Sequence, residues 1–232
     1  MQSTQDILDN PPLAPTARPA ATLDAPWKLP PTPDPLQAIK ERVLQHFNTA
    51  AQPLFAILDG ARNERIVALL KEFGVPANVP VNSNQLAEKR QHDEPLYQSL
   101  YIWKMALESA EQGPFLVRLP PESPLLKAVV MEGWGDSWGI FVESAVSFDD
   151  LWRHSRKFIM VEMPGGKTAL FRFYDPRALR AFLPSCDQRQ IESIFAIPIR
   201  IHIEDSEGQL MRFSHQHATG IGCQGHVAIA AS

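Results

Sequence analysis

Leu54-Phe55-Ala56-Ile57-Leu58, closed by Asp59-Gly60, is the stretch whose reading decides the fold. A short unbroken apolar run ended by turn residues reads as a strand buried inside an α/β sheet. Just downstream, Ile66, Val67, Leu69, Leu70 and Phe73 follow helical spacing until Gly74 and Pro76 stop them. Upstream, Asp34-Pro35 offers a helix N-cap followed by proline at the first helical position. Leu36, Ile39, Val43, Leu44 and Phe47 then form one apolar stripe.

The same alternation of strand and helix recurs three more times. Tyr97 to Ile102 leads into a helix near 103–111, and Phe115 to Leu119 into a helix opened by Ser123-Pro124. Trp138 to Val142 leads into a helix capped by Ser147, with Asp150 in the capping-box position. This spacing predicts a mixed, largely parallel sheet flanked by helices. Past residue 158 the pattern changes to C-terminal β-hairpins and short helices. Phe158–Met163 and Thr168–Tyr174 flank a glycine turn, and Ile197–Ile203 and Leu210–Phe213 make a second hairpin. Between them Asp175-Pro176 and Ser185 each begin a short helix.

Residues 1–34 carry eight prolines before Asp34 and read as an extended or disordered arm, ahead of an α/β domain over 35–213 and a loose tail over 214–232. Trp27 is the large aromatic of the arm; it either docks on the domain or waits for a partner. Residues 76–95 read as a long surface loop.

The 232 residues have 44% apolar and 21% charged content, ordinary for a soluble globular protein. A net charge of -4, with basic residues scattered singly or in pairs, excludes a nucleic-acid binder. Two cysteines make no disulfide framework, and neither a secretory leader nor an apolar run of about 20 residues stands out, so a cytoplasmic protein is expected.

Catalytic equipment is sparse. Asp59-Gly60-Ala61-Arg62-Asn63 lacks the glycines of a dinucleotide or phosphate loop, and no Gly-x-Ser-x-Gly elbow exists. Asp59 is expected to cap the following helix or to pair with an arginine. His215, His217, Cys223 and His226 have metal-ligand chemistry but no standard spacing, so neither metal nor cofactor is expected. Arg118 and Arg172 interrupt apolar strands, which predicts a structural arginine–aspartate network with Asp59, Asp175 and Arg177 at the sheet edge. Trp134 and Trp138, set among glycines, and Tyr174 are candidate partner-binding aromatics together with Trp27; core packing is the competing reading for the tryptophans.

Taken in order, Leu54–Ala61, Tyr97–Tyr101, Pro114–Leu119, Trp134–Phe141, Leu170–Leu179 and Phe182-Leu183-Pro184 form a run that resembles the "domain of unknown function 4123" family of bacterial type VI secretion effector adaptors. The resemblance covers roughly residues 50–213. It implies a non-enzymatic protein that binds a cognate toxic effector and helps load it onto the valine-glycine-repeat spike protein. No cofactor is implied, and no nucleic-acid or membrane partner. The competing classes are an immunity protein that neutralises a toxin by binding, and an enzyme using Asp59 and Asp175.

Overall fold

The computed structural model describes residues 34–77, 94–101, 111–163, 165–216 and 220–224, with side chains of the last two stretches described only to residue 214. Trp27, the expected helix near 103–111, and the His/Cys side chains past 214 lie outside the described residues.

The buried run is strand β1 (Leu54–Asp59), and all six of its residues are buried. It sits between β4 (Pro114–Arg118) and β5 (Gly139–Ser144), antiparallel to both. The main sheet continues on one side through β3 (Leu96–Ser99) to the two-residue β2 (Val75–Pro76). On the other side it passes through β8 (Ile199–Glu204) and β9 (Leu210–Gln216) to β10 (Gly220–Gln224). The order is therefore β10-β9-β8-β5-β1-β4-β3-β2. The chain past 213, expected as a loose tail, continues the sheet as the β9–β10 pair.

Because side chains alternate along a strand, β1 feeds both faces of the sheet. Leu54, Ala56 and Leu58 join a core with helix α1 (Pro35–Asn48), α2 (Glu64–Phe73) and α3 (Pro124–Gly133). Phe55 and Ile57 point the other way, into a core with α4 (Phe148–Arg156), α5 (Pro176–Phe182) and α6 (Gln188–Ile194). The caps follow the sequence: Asp34, Ser123, Ser147 and Asp175 each accept a backbone N–H of the first turn. For α6 the cap is Asp187 in a capping box with Gln190, and the expected start at Ser185 is instead the end of a 3-10 turn over Leu183–Ser185.

The mixed α/β sheet with flanking helices is as expected, but its strand directions are not. Every described pairing in the main sheet is antiparallel except β2 with β3. The alternation did carry real information. β4 and β5 are both antiparallel to β1, so they run in the same direction and α3 connects them as a crossover. What periodicity does not reveal is that β1 is inserted between them. That insertion turns two parallel neighbours into two antiparallel pairs.

Gly139 shows how tight the β1–β5 pairing is. It lies opposite Leu58, and a Cβ there would fall on the carbonyl oxygen of Ile57. Gly139→Ala is therefore expected to cost about 1–3 kcal/mol or more by overpacking against backbone that cannot rotate away. A urea midpoint identical to that of the parent chain would contradict this.

Candidate functional site

The conspicuous Glu132–Gly139 segment is a loop built around a buried carboxylate. Glu204, at the end of β8, accepts hydrogen bonds from the backbone N–H of Gly135 (2.5 Å), the N–H of Ser137 (2.8 Å) and the Ser137 hydroxyl (3.0 Å). Gly135 and Ser137 both have positive φ (95° and 57°), which aims successive N–H groups at one point. Burial pushes the Glu204 carboxyl up, and the three donors oppose that shift. Trp134 donates its indole N–H to the Gly208 carbonyl at 2.7 Å, and Trp138 lies where a Gly133 Cβ would come within 2.5 Å of the ring. The tryptophans are 2% and 4% exposed. Both belong to the core, which corrects their candidacy as partner-binding anchors: a side chain already buried cannot be buried again by a partner.

Tyr174 is corrected likewise. It is 0% exposed, and its hydroxyl, close to Tyr101, meets no hydrogen-bond partner among the described residues. Burial drives its phenol pKa strongly upward. The expected strand through Tyr174 does not form. The hairpin strands are β6 (Met160–Met163) and β7 (Lys167–Leu170), and the chain leaves the ladder after Phe171, whose N–H bonds the Ile159 carbonyl. Arg172 is thus a half-exposed residue beyond the strand, not one on a buried strand.

The arginine–aspartate network is found in part. Asp59 is buried, accepts from the Ala61 N–H (3.2 Å) and has Arg172 Nη1 at 3.7 Å. Burial raises its pKa while Arg172 pulls it back. Asp59 does not cap α2; Asn63 does. Asp175 caps α5 and holds Arg177 through both oxygens, at 3.0 and 2.6 Å. Arg118 lies elsewhere, donating to the Glu94 carbonyl at 3.1 and 2.8 Å. The expected joining of Arg118 to these aspartates is not seen, because the β1–β4 register sets Arg118 opposite Phe55, at the other end of the ladder from Asp59, which lies opposite Pro114.

A second ionic group went unread in the sequence. Glu143 on β5 faces Arg200 (2.5 Å) and His202 (3.3 Å) on β8, and the His46 ring lies 5.7 Å from that of His202. Strand register brings Glu143, Arg200 and His202 together, since Glu143 pairs with Arg200, and α1 packing adds His46. The hydrogen bond from His202, aided by Arg200, holds the Glu143 carboxyl below its ordinary value. Burial holds His202 below its own.

The feature with the geometry of a binding face is the β6–β7 hairpin. Its strands pair only with each other, and it carries the large hydrophobic side chains that stand exposed among the described residues. They are Met160 (44%), Met163 (49%) and Leu170 (41%). Met160 and Leu170 face each other across the pair. Beside the hairpin, Phe171 packs on Phe182 with ring centroids 4.7 Å apart, and Phe158 on Phe173 at 6.0 Å. Side chains alternate along β6, so Met160 and Leu170 share one face of the hairpin and Met163 projects from the other. Alternating polar and apolar residues hid this exposure in the sequence, where the segment reads as an ordinary half-wet hairpin.

Residues 54–193 match the model of the family described as "Domain of unknown function (DUF4123)". The chain belongs to this family. No curated protein and no solved structure matches it significantly. The DUF4123 match spans β1 to α6, so it contains the loop around Glu204, the Asp59 and Asp175 pairs and the hairpin, but not Glu204 itself. Among the described residues no helix is long and apolar enough to cross a membrane, and no group of three or more His, Cys, Asp or Glu could hold a metal ion.

Two outcomes are expected. Asp175→Ala removes a cap and should cost about 0.5–2 kcal/mol, whereas Arg172→Ala removes a half-exposed guanidinium 3.7 Å from the buried Asp59 and should cost about 1 kcal/mol; urea unfolding of both variants compares them directly. His202 has a folded pKa below the unfolded 6.5, so the fold favours its neutral form. Its contribution is complete above pH 6.5 and is lost as pH falls below that value. Glu143, also lowered, adds a loss below 4.5, while Asp59 and Glu204, both raised, oppose it. The difference between the parent chain and His202→Gln isolates the histidine: urea midpoints should converge as pH drops from 7.5 to 5.5. Parallel pH curves would show that His202 stays uncoupled from folding.

Proposed function

We propose that this chain is a non-catalytic adaptor of bacterial type VI secretion. It acts in the cytoplasm, binding a cognate toxic effector and helping to load it onto the valine-glycine-repeat spike protein. Membership of the DUF4123 family supports this reading, and the observation that carries it is the free β6–β7 hairpin with Met160, Met163 and Leu170 exposed. An adaptor must grip a protein and release it, which suits a hairpin that exposes apolar side chains on both faces beside charged neighbours such as Glu162 and Lys167. The carboxylates an enzyme would use, Asp59 and Asp175, are engaged in the turn after β1 and in capping α5.

The test is an affinity pull-down from the native host, read by mass spectrometry. Recovery of one large toxin together with a spike protein is expected. Replacing Met160, Met163 and Leu170 together by Ser should keep the melting temperature and weaken effector recovery by at least about tenfold, the loss typical of interface anchors. An effector equally soluble and equally secreted in cells lacking this protein overturns the adaptor reading. Protection from the toxin without any effect on secretion would assign an immunity role instead.

A further inference from the structure

The second face of the main sheet is incompletely filled. Between it and helices α4, α5 and α6 lies a cavity of about 290 Å³. Ile57 of β1, Ile140 of β5 and Ile201 of β8 form its floor, and all three are buried. Phe182 and aliphatic side chains of the three helices wall it with Val161 of β6 and with Phe158, Phe171 and Phe173 of the segments flanking the hairpin, and exposed Lys157, Gln190 and Ser193 stand at its mouth. Native interiors pack to crystal-like density, and a hollow lined by Ile and Phe leaves those atoms without partners. Water does not repair this, because a buried water needs two to four polar partners and the floor offers none.

The polar groups at the rim narrow the occupant. The His154 Nε2 is taken by the Ile194 carbonyl at 2.8 Å, and burial pushes the ring's pKa down. Lys157 is then the charged side chain of the lining, which holds neither Asp nor Glu among the described residues. Depth is apolar and the mouth is cationic. One turn of an α-helix about 10 Å across fills roughly 420 Å³, more than the cavity's about 290 Å³, so the space suits an unbranched chain and not a helix.

We propose that this cavity binds a free medium-chain carboxylate, its alkyl chain on Ile57, Ile140 and Ile201 and its head group at Lys157. A methylene takes about the volume of a water, roughly 30 Å³, so about ten carbons fill the space. The site is separate from Met160, Met163 and Leu170 and does not rest on the adaptor reading.

Titration calorimetry of the full chain with sodium decanoate tests it, beside octanoate, hexanoate and 1-decanol. One-to-one binding is expected, weakening about fourfold per methylene removed and so about fifteenfold from decanoate to octanoate. Both 1-decanol with the parent chain and decanoate with Lys157→Glu should bind about tenfold more weakly than the parent pair. Lys157 is exposed, so its replacement leaves the fold intact, which an unchanged cooperative melt verifies. Val161→Trp narrows the mouth and should abolish binding. Absence of decanoate binding to the folded chain overturns the proposal, as does affinity independent of chain length. Equal binding of 1-decanol together with an unaffected Lys157→Glu overturns it too. None of these outcomes bears on effector recovery in the pull-down, so the two readings fail separately.

Discussion

Strand β1 has neither a free edge nor a free face, and the rest of the molecule is arranged around that condition. Its edges are bonded to β4 and β5, and its alternate side chains enter two separate cores. Such a strand must be apolar throughout, since any polar side chain on it would be desolvated without a partner. The first polar residue, Asp59, appears where the chain leaves the sheet. Even there it is buried, and the Ala61 N–H and the Arg172 guanidinium offset the cost of its charge.

A second constraint ties the far side of the sheet to this centre. Glu204 ends β8 inside the protein, and a carboxylate there is tolerated because the loop preceding β5 supplies three donors. Those bonds clamp the start of β5 to the end of β8. The Glu143–Arg200–His202 group clamps the same two strands near their other ends. Trp134 and Trp138 complete the clamp by packing inward. Gly135, Ser137 and both tryptophans are therefore architectural.

The two faces of the sheet differ in consequence. The α1–α3 face is closely filled, with Phe47 stacked 4.7 Å from Phe141 and edge-on to Trp134. The α4–α6 face keeps a cavity, and next to it stands a hairpin that no ladder joins to the main sheet. Aromatic contacts such as Phe171 with Phe182 hold the hairpin in place instead. This side is nonetheless tied to the sheet, since Trp152 of α4 donates to the Ser99 carbonyl and Arg180 of α5 to the Glu204 carbonyl.

Local chemistry was legible from the sequence alone. The caps Asp34, Ser123, Ser147 and Asp175, the buried character of β1, the glycine turn of the hairpin and the family all follow from neighbouring residues, because capping and burial patterns act over a few positions. Strand direction was not legible, since inserting β1 between β4 and β5 leaves no local trace. Nor was the fate of the aromatics: a tryptophan among glycines reads the same whether it anchors a partner or closes over Gly133. The Glu143–His202 and Glu204–Ser137 contacts join residues more than 50 positions apart, so only sheet register decides them. The same holds for Met160, Met163 and Leu170, which are ordinary hairpin residues until the tertiary structure leaves them uncovered.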